Sequence, residues 1–278
     1  MRNKKNLKII ITAIIIVAVL IGGGLVAGNS DLFTEEITTE PIVLATTRIT
    51  FIEGSTLTEC FKLLEENGVA SFDDLMNVAQ NYSFNDYKIY SDIPDDKNRC
   101  FKLEGYLFPD TYDFFLDEAP ESVIARFLSN SDVKITDEMR ARATELGYTM
   151  DEIIIIASII QAEGAFENDA ATIAGIIYNR LDDGIKLQMD STYFYAHNDI
   201  ASYVGEENVG EYKEIYDTYT CYSLPQGPVC NPGMFAINAA LYPEETDYYY
   251  FCHDNNGNTY YATNYSDHLA NCRKAGLQ

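Results

Sequence analysis

Apolar residues recur at helical spacing in several short blocks along this chain. Leu57, Cys60, Phe61, Leu63 and Leu64 fall on one face, behind the capping hydroxyls of Ser55 and Thr56 and ahead of Asn67-Gly68. That pattern predicts a helix. A second short helix is predicted over residues 72–81, and amphipathic helices over 121–128 and 137–146. The most apolar block, residues 153–160, lies in a helix predicted from 151 to 162, capped by Thr149-Met150-Asp151 and stopped by Gly164. Another helix is predicted over 168–181, ending at Asp182-Asp183-Gly184. Pro232 suits the first turn of a helix over 234–241. Alternation marks the strands. Residues 48–51 read as a short strand, and 103–112 as an aromatic extended segment turning at Pro109-Asp110. Residues 248–252 and 259–262 flank Asn255-Asn256-Gly257-Asn258, a hairpin signal, and a last short helix starts near 266. Residues 185–195 read as a polar-studded loop or strand, and 198–212 as a connection rich in Gly and Glu. No internal repeat is visible.

One block differs in kind. Residues 7–27 carry no charge except Lys8. About 20 such residues suffice to cross a bilayer core, and Arg2, Lys4, Lys5 and Lys8 favour a cytoplasmic N-terminus. The alternative is a cleaved signal peptide, whose apolar core is usually only about 7–15 residues. The expected layout is a cytoplasmic tail over 1–6, a transmembrane helix over 7–27, and a linker over 28–47 rich in Thr and Glu. An α+β outer part follows, and the protein is expected at the cell membrane, single-pass, with its C-terminal part extracytoplasmic.

Charge narrows the partners. The formal net charge is −24, a surface that repels phosphate backbones and makes nucleic acid a poor partner. All six cysteines lie in the outer part. An even count in an oxidising compartment predicts disulfides: Cys60–Cys100 within the first module, Cys221–Cys230 across the rigid turn at residues 224–228, and Cys252–Cys272 beside the hairpin. No C-x-x-C pair occurs and His197, His253 and His268 are scattered, so neither a metal site nor a cofactor is expected.

The candidate chemistry centres on Glu163, one carboxylate at the end of an otherwise uncharged helix segment. A general acid must hold its proton when substrate arrives, and an exposed Glu titrates near about 4.3. Apolar surroundings and the negative pole of a helix both disfavour the anion. Gln161 has no acidic proton. Positions 161 and 163 lie roughly 200° apart around a helix, so they face different ways. Read alone, Glu163 could equally salt-bridge at a helix end.

Further motifs occur in order: Tyr178-Asn179-Arg180-Leu181, Leu187-Gln188-Met189-Asp190-Ser191-Thr192, Tyr216-Asp217-Thr218-Tyr219, Leu224-Pro225-Gln226-Gly227-Pro228, Asn231-Pro232-Gly233 and Ala236-Ile237. With Glu104-Gly105-Tyr106-Leu107-Phe108-Pro109-Asp110-Thr111-Tyr112 upstream, the set resembles the endolytic murein transglycosylase (MltG/YceG-like) family over residues 48–272. The resemblance implies a LysM-like α+β module over 48–102 and a mixed α+β catalytic domain over 103–278. It implies a single-pass lytic transglycosylase that cleaves MurNAc-β-1,4-GlcNAc bonds within peptidoglycan strands. Its products would carry 1,6-anhydroMurNAc ends, which would limit nascent strand length, and peptidoglycan synthases would be partners.

The family's catalytic glutamate falls on Glu163, and its preceding carboxylate is Gln161 here. Asp217 stands where the family usually has Asn, and Ser191 where it has Pro. Gln188, Asp190, Ser191 and Thr192 are candidates to hold the sugar's N-acetyl and hydroxyl groups, with Asn231 as a further contact. Asn179 and Arg180 read as loop braces. With 21 tyrosines and no tryptophan, Tyr195 and Tyr219 are the stacking candidates. Two other readings stay open: a catalytically inactive membrane-anchored wall-binding protein, and a hydrolase with Asp190 as second carboxylate.

Overall fold

Residues 45–164 and 167–277 are described by the computed structural model. The expected transmembrane helix at 7–27, the tail and nearly all of the linker lie outside the described residues. Among the described residues, no helix is long and apolar enough to cross a membrane.

The chain enters through β1 (Thr46–Thr50) and continues into α1 (Leu57–Glu66) and α2 (Phe72–Asn81). Thr56 caps α1 through a capping box with Glu59, and Ser71 caps α2. A short α3 (Lys88–Asp92) precedes β2 (Thr111–Phe115). β2 runs antiparallel to β1, with Ile49 opposite Tyr112 and Thr47 opposite Phe114. One face of this ribbon turns Ile49, Tyr112 and Phe114 inward. Phe127 of α4 (Pro120–Lys134) meets Phe51 at a ring-centroid distance of 4.9 Å and Tyr112 at 4.6 Å. The apolar core therefore continues across residue 102, and a strand from before that point pairs with one after it.

The centre of the fold is α6 (Met150–Ala162), which follows α5 (Asp137–Glu145). Thr149 and Glu152 form its capping box. Ile153, Ile154, Ile155, Ile156, Ile159 and Ile160 are all buried. A run with no polar stripe has no solvent face to offer, so other helices cover it on every side. Chief among these are α7 (Ala170–Asp182) and α11 (Met234–Leu241). Burying each isoleucine is worth about 1.5–3 kcal/mol.

The N-terminal turn of α6 carries a buried ion pair. Asp151 receives Arg99 Nη2 at 2.6 Å and Nη1 at 3.0 Å, and the Tyr106 hydroxyl also donates to it. An acid at this helix end favours the dipole. Breaking such a pair from one side costs about 3–5 kcal/mol.

Between α7 and α11 the chain is more helical than the sequence pattern predicts. α8 (Asp190–Phe194) runs into a π-helical turn at Tyr195–Ile200, then α9 (Ala201–Val204) and α10 (Gly210–Tyr216). The C-terminal unit is a hairpin, β3 (Tyr250–His253) with β4 (Thr259–Ala262), packed on α12 (Tyr265–Ala275). Gly276, at φ 79°, ends α12 in the left-handed conformation that glycine tolerates best.

The expected disulfides are corrected by the structure, in which all six cysteines are free thiols. Cys60 faces the Asn231 amide at 3.9 Å, and the Cys230 thiol donates to the Ser158 carbonyl at 3.3 Å. Cys221 sits half-exposed, its thiol donating to the Ser223 carbonyl at 3.5 Å. Pairing by module or by flanking turn fails because side-chain direction, not sequence neighbourhood, decides which sulfurs meet. Burial pushes the Cys60 and Cys230 thiols well up, and that of Cys100 up to about 12, so these three are inert protonated thiols. Cys252 and Cys272 do lie together, unbonded, with His268 beside them.

Candidate active site

Glu163 occupies the C-cap of α6. Its carboxylate forms part of the wall of a cleft of about 520 Å³, which Arg180, Gln188, Asp190, Tyr219, Tyr250 and Tyr265 also line. The opposite end of α6 already holds an acid, Asp151, against Arg99. The two helix ends thus carry carboxylates in opposite settings: one neutralised by a buried cation, the other, among the described residues, with no cation bonded to it.

A strained turn brings the partners of Glu163 into place. Gln188 adopts φ 54°, a conformation that costs a residue with a side chain about 1–2 kcal/mol. Arg180 holds this turn by donating Nη1 to the carbonyls of Lys186 at 2.8 Å and Leu187 at 3.0 Å. Gln188 N–H donates to the Thr218 carbonyl at 3.2 Å and Met189 N–H to the Thr218 hydroxyl at 2.9 Å. Past the turn α8 begins, and Ser191 N–H donates to Glu163 Oε1 at 3.0 Å. The Ser191 hydroxyl is buried beside the same carboxylate with no well-formed hydrogen bond of its own.

Burial pushes the Glu163 carboxyl above its ordinary value, and the Asp190 charge pushes the same way. The backbone N–H and hydroxyl of Ser191 pull against that shift. The net effect is a carboxyl that holds its proton more readily than an exposed glutamate. Asp190 accepts the Tyr219 hydroxyl at 2.6 Å, which fixes both groups at the cleft rim. Burial and the hydrogen bond to Asp190 raise the Tyr219 phenol, so it stays a donor.

Of the residues singled out from the sequence, the structure gathers Glu163, Gln188, Asp190 and Tyr219 at this cleft, with Ser191 behind Glu163. It places three others away from it. Thr192 is fully buried, its hydroxyl donating to the Met189 carbonyl at 2.8 Å and meeting that of Thr218 at 2.8 Å. Tyr195 is buried with its hydroxyl on Glu104 at 2.9 Å. Asn231 accepts Leu107 N–H at 2.9 Å and donates to the Ser55 carbonyl at 2.9 Å. These three brace the interior. Asn179 braces too, reaching the Thr246 and Tyr248 carbonyls at 2.7 and 3.0 Å. Gln161 points away from the cleft and accepts Gly233 N–H at 3.0 Å, as the helical spacing of 161 and 163 requires.

Two features escaped the sequence reading. Tyr250 and Tyr265, from the hairpin and α12, supply the cleft's far wall in place of Tyr195. Glu104, fully buried, takes hydrogen bonds from Leu57 N–H, Tyr195 and Asn231. Burial pushes it up to about 8 against the pull of Tyr195 and Leu57. Its signal was a lone charge inside the aromatic and apolar run 103–108.

The fold and cleft define a mixed α+β protein with one unpaired acid at the mouth of an apolar helix. A profile of the YceG-like family matches residues 29–274, and the chain belongs to that family. It is 29% identical over 232 residues to a Bacillus subtilis protein named endolytic murein transglycosylase, covering 80% of this chain and 63% of that one. A Streptococcus pneumoniae protein of the same name is 33% identical over 181 residues, 63% of this chain and 33% of its own length. The chain thus spans less than two thirds of the curated relatives it matches. A crystal structure of a YceG-like protein from Listeria monocytogenes superposes with a TM-score of 0.70 at 30% identity, over 80% of this chain and 75% of the other.

Proposed function

We propose that this protein is an endolytic peptidoglycan lytic transglycosylase with Glu163 as its catalytic acid and base. The observation that carries this reading is the setting of Glu163: one carboxyl, raised by burial, opening on a cleft and held by the Ser191 backbone N–H. Names of the Bacillus and Streptococcus relatives support the same substrate.

In this mechanism the protonated Glu163 gives its proton to the glycosidic oxygen between MurNAc C1 and GlcNAc C4, and that C–O bond breaks. The resulting Glu163 carboxylate takes the proton of the MurNAc C6 hydroxyl as that oxygen bonds to C1. Glu163 is returned protonated, and the products are a 1,6-anhydroMurNAc end and a free GlcNAc 4-hydroxyl. Attack from within the same sugar supplies the orientation that a bound water would otherwise need. One carboxyl suffices, whereas a retaining hydrolase needs a second about 5 Å away. Asp190, fixed by Tyr219, lies near enough to add negative potential for the cationic transition state. Tyr265 and Tyr219, both exposed, offer ring faces to the sugars, while the Tyr250 ring is taken up by His268 and Arg180.

The same reading takes residues 7–27 as a membrane span that holds the catalytic part outside the cytoplasm, close to nascent strands whose length it limits, beside peptidoglycan synthases. Residues 48–102 are read as a LysM-like glycan-binding element.

Muropeptide analysis of peptidoglycan digested by the protein tests the assignment. Anhydro ends that vanish with Glu163→Gln are the expected result. Reducing ends instead would favour the hydrolase, with Asp190 as second carboxylate in the same cleft. Binding without cleavage would favour a wall-binding role.

A further inference from the structure

Beside the cleft's tyrosines lies a cluster that the transglycosylase chemistry does not use. Cys252 is the one buried side chain of β3. His268 and Cys272 lie four apart on α12, hence on one face. One potential ligand atom from each residue lies within 4.8 Å of the other two. The sequence signal was His-x-x-x-Cys on a helix, overlooked because its third member sits on a strand.

We propose that Cys252, His268 and Cys272 form a zinc site that holds the C-terminal hairpin and α12 together and so sets the far wall of the cleft. Three observations carry this. The first is geometric. Zinc bonds to sulfur at about 2.3 Å and to imidazole nitrogen at about 2.0 Å, so the N-to-S edge of a zinc tetrahedron is about 3.6 Å. His268 Nε2 lies 3.6 Å and Nδ1 3.9 Å from Cys272 Sγ, so a small rotation of the ring would aim Nε2 at an ion shared with that sulfur. The second is energetic. Phe251 and Tyr261 pack the hairpin on the main core, but between the hairpin and α12 lies a separate small cluster of Cys252, Cys272 and Ala275, with Tyr260 packed on it. Little apolar burial joins α12 to the hairpin, so a metal ligated from both would add most of the hold between them.

The third concerns the choice of staple. A disulfide would use two sulfurs and leave the imidazole without a task. Here His268 joins the pair, its ring stacked on Tyr250 at 5.2 Å between centroids and 26° between planes. The donor set contains no carboxylate, and thiolate with imidazole selects zinc over magnesium or calcium. Two thiolates cancel the charge of the ion. All three residues border the cleft that Glu163 borders, so a fourth position opens towards it, for water. The site's effect on the reaction is positional: Tyr250 and Tyr265 sit on the two elements it would join.

Zinc content of the reduced full chain, by elemental mass spectrometry, and titration with Co²⁺ test this. About one ion per chain is expected, with the near-ultraviolet thiolate-to-cobalt band of a four-coordinate site. Cys272→Ser should remove binding, and His268→Ala should weaken it by more than about tenfold. Glu163→Gln and Cys221→Ser should leave it unchanged. If Cys272→Ser fails to fold, His268→Ala still decides, since it keeps both sulfurs. Absence of binding by the reduced wild type would overturn the proposal. So would unchanged affinity in His268→Ala, or a Cys252–Cys272 disulfide in metal-free protein prepared without reductant.

Discussion

Glu104 and Glu163 are both taken out of bulk water, and in both burial raises the carboxyl. Around Glu104 the protein closes completely: Leu57 N–H, the Tyr195 hydroxyl and the Asn231 amide fill its oxygens, and three buried cysteines stand nearby. Around Glu163 the protein stops halfway, with Ser191 N–H on one side and the cleft on the other. The more strongly shifted group is therefore the one with no access to substrate. A raised carboxyl marks a catalytic acid only where a reacting atom can reach it.

The sharpest way to break this comparison is to neutralise each acid in turn. Glu163→Gln should cut formation of anhydro ends by about 100- to 10,000-fold, with thermal unfolding unchanged. Wild-type product yield from that variant would end the assignment. Glu104→Ala should do the reverse. It strands a backbone N–H, a phenol and an amide, at about 1–3 kcal/mol for each buried group left unpaired. Denaturant titration should show a large loss of stability while the rate per folded molecule holds.

The pH dependences should differ as well. Glu163 must be protonated to act, so the rate should fall as pH rises through its raised pKa. Asp190→Asn removes one cause of that raise and should move this limb to lower pH. No movement in the rate profile would show that Asp190 does not reach Glu163. For stability, Glu104 binds its proton more tightly folded, at about 8, than at the ordinary value of 4.5. Its contribution is complete below 4.5 and is lost as pH rises towards 8, by up to about 1.4 kcal/mol per unit. Glu104→Gln should flatten that decline in a series of urea titrations across pH.

Smallest of all should be Gln161→Ala, which removes a hydrogen bond to Gly233 N–H outside the cleft. A few-fold change in rate and about 1 kcal/mol of stability are expected. A loss approaching that of Glu163→Gln would place Gln161 among the reacting groups.

How far the chain could be read before folding depended on whether its signals were local. Caps at Thr56, Ser71, Thr136 and Thr149 are local, and their helices begin where the pattern predicts. The α11 helix, Met234–Leu241, has the predicted bounds. Glu163 stood out because a charge ending an isoleucine run coincides with the family motif, although the run alone fitted a helix-end salt bridge equally well. Thr192 and Tyr195 were misdirected because a motif marks a position, not a direction. The face of α8 that carries Thr192 packs inward on Thr218, and the π turn carries Tyr195 to Glu104. Residues 198–216 hid two helices because Gly205 and several acids interrupt any apolar period there. Tyr250 and Tyr265 became visible only when the hairpin folded against α12.

Asn231 has a consequence for the order in which the molecule can be made. It joins Ser55, 176 positions earlier, and Leu107, 124 positions earlier, and its side chain completes the shell of Glu104. During synthesis the N-terminal strands and helices therefore emerge long before the residue that locks them. Until position 231 leaves the ribosome, the carbonyl of Ser55 and the N–H of Leu107 have only water for partners. Such long-range closure is slow. The contacts that Asn231 makes with Ser55, Leu107 and Glu104 therefore close late, after the elements they join have already emerged.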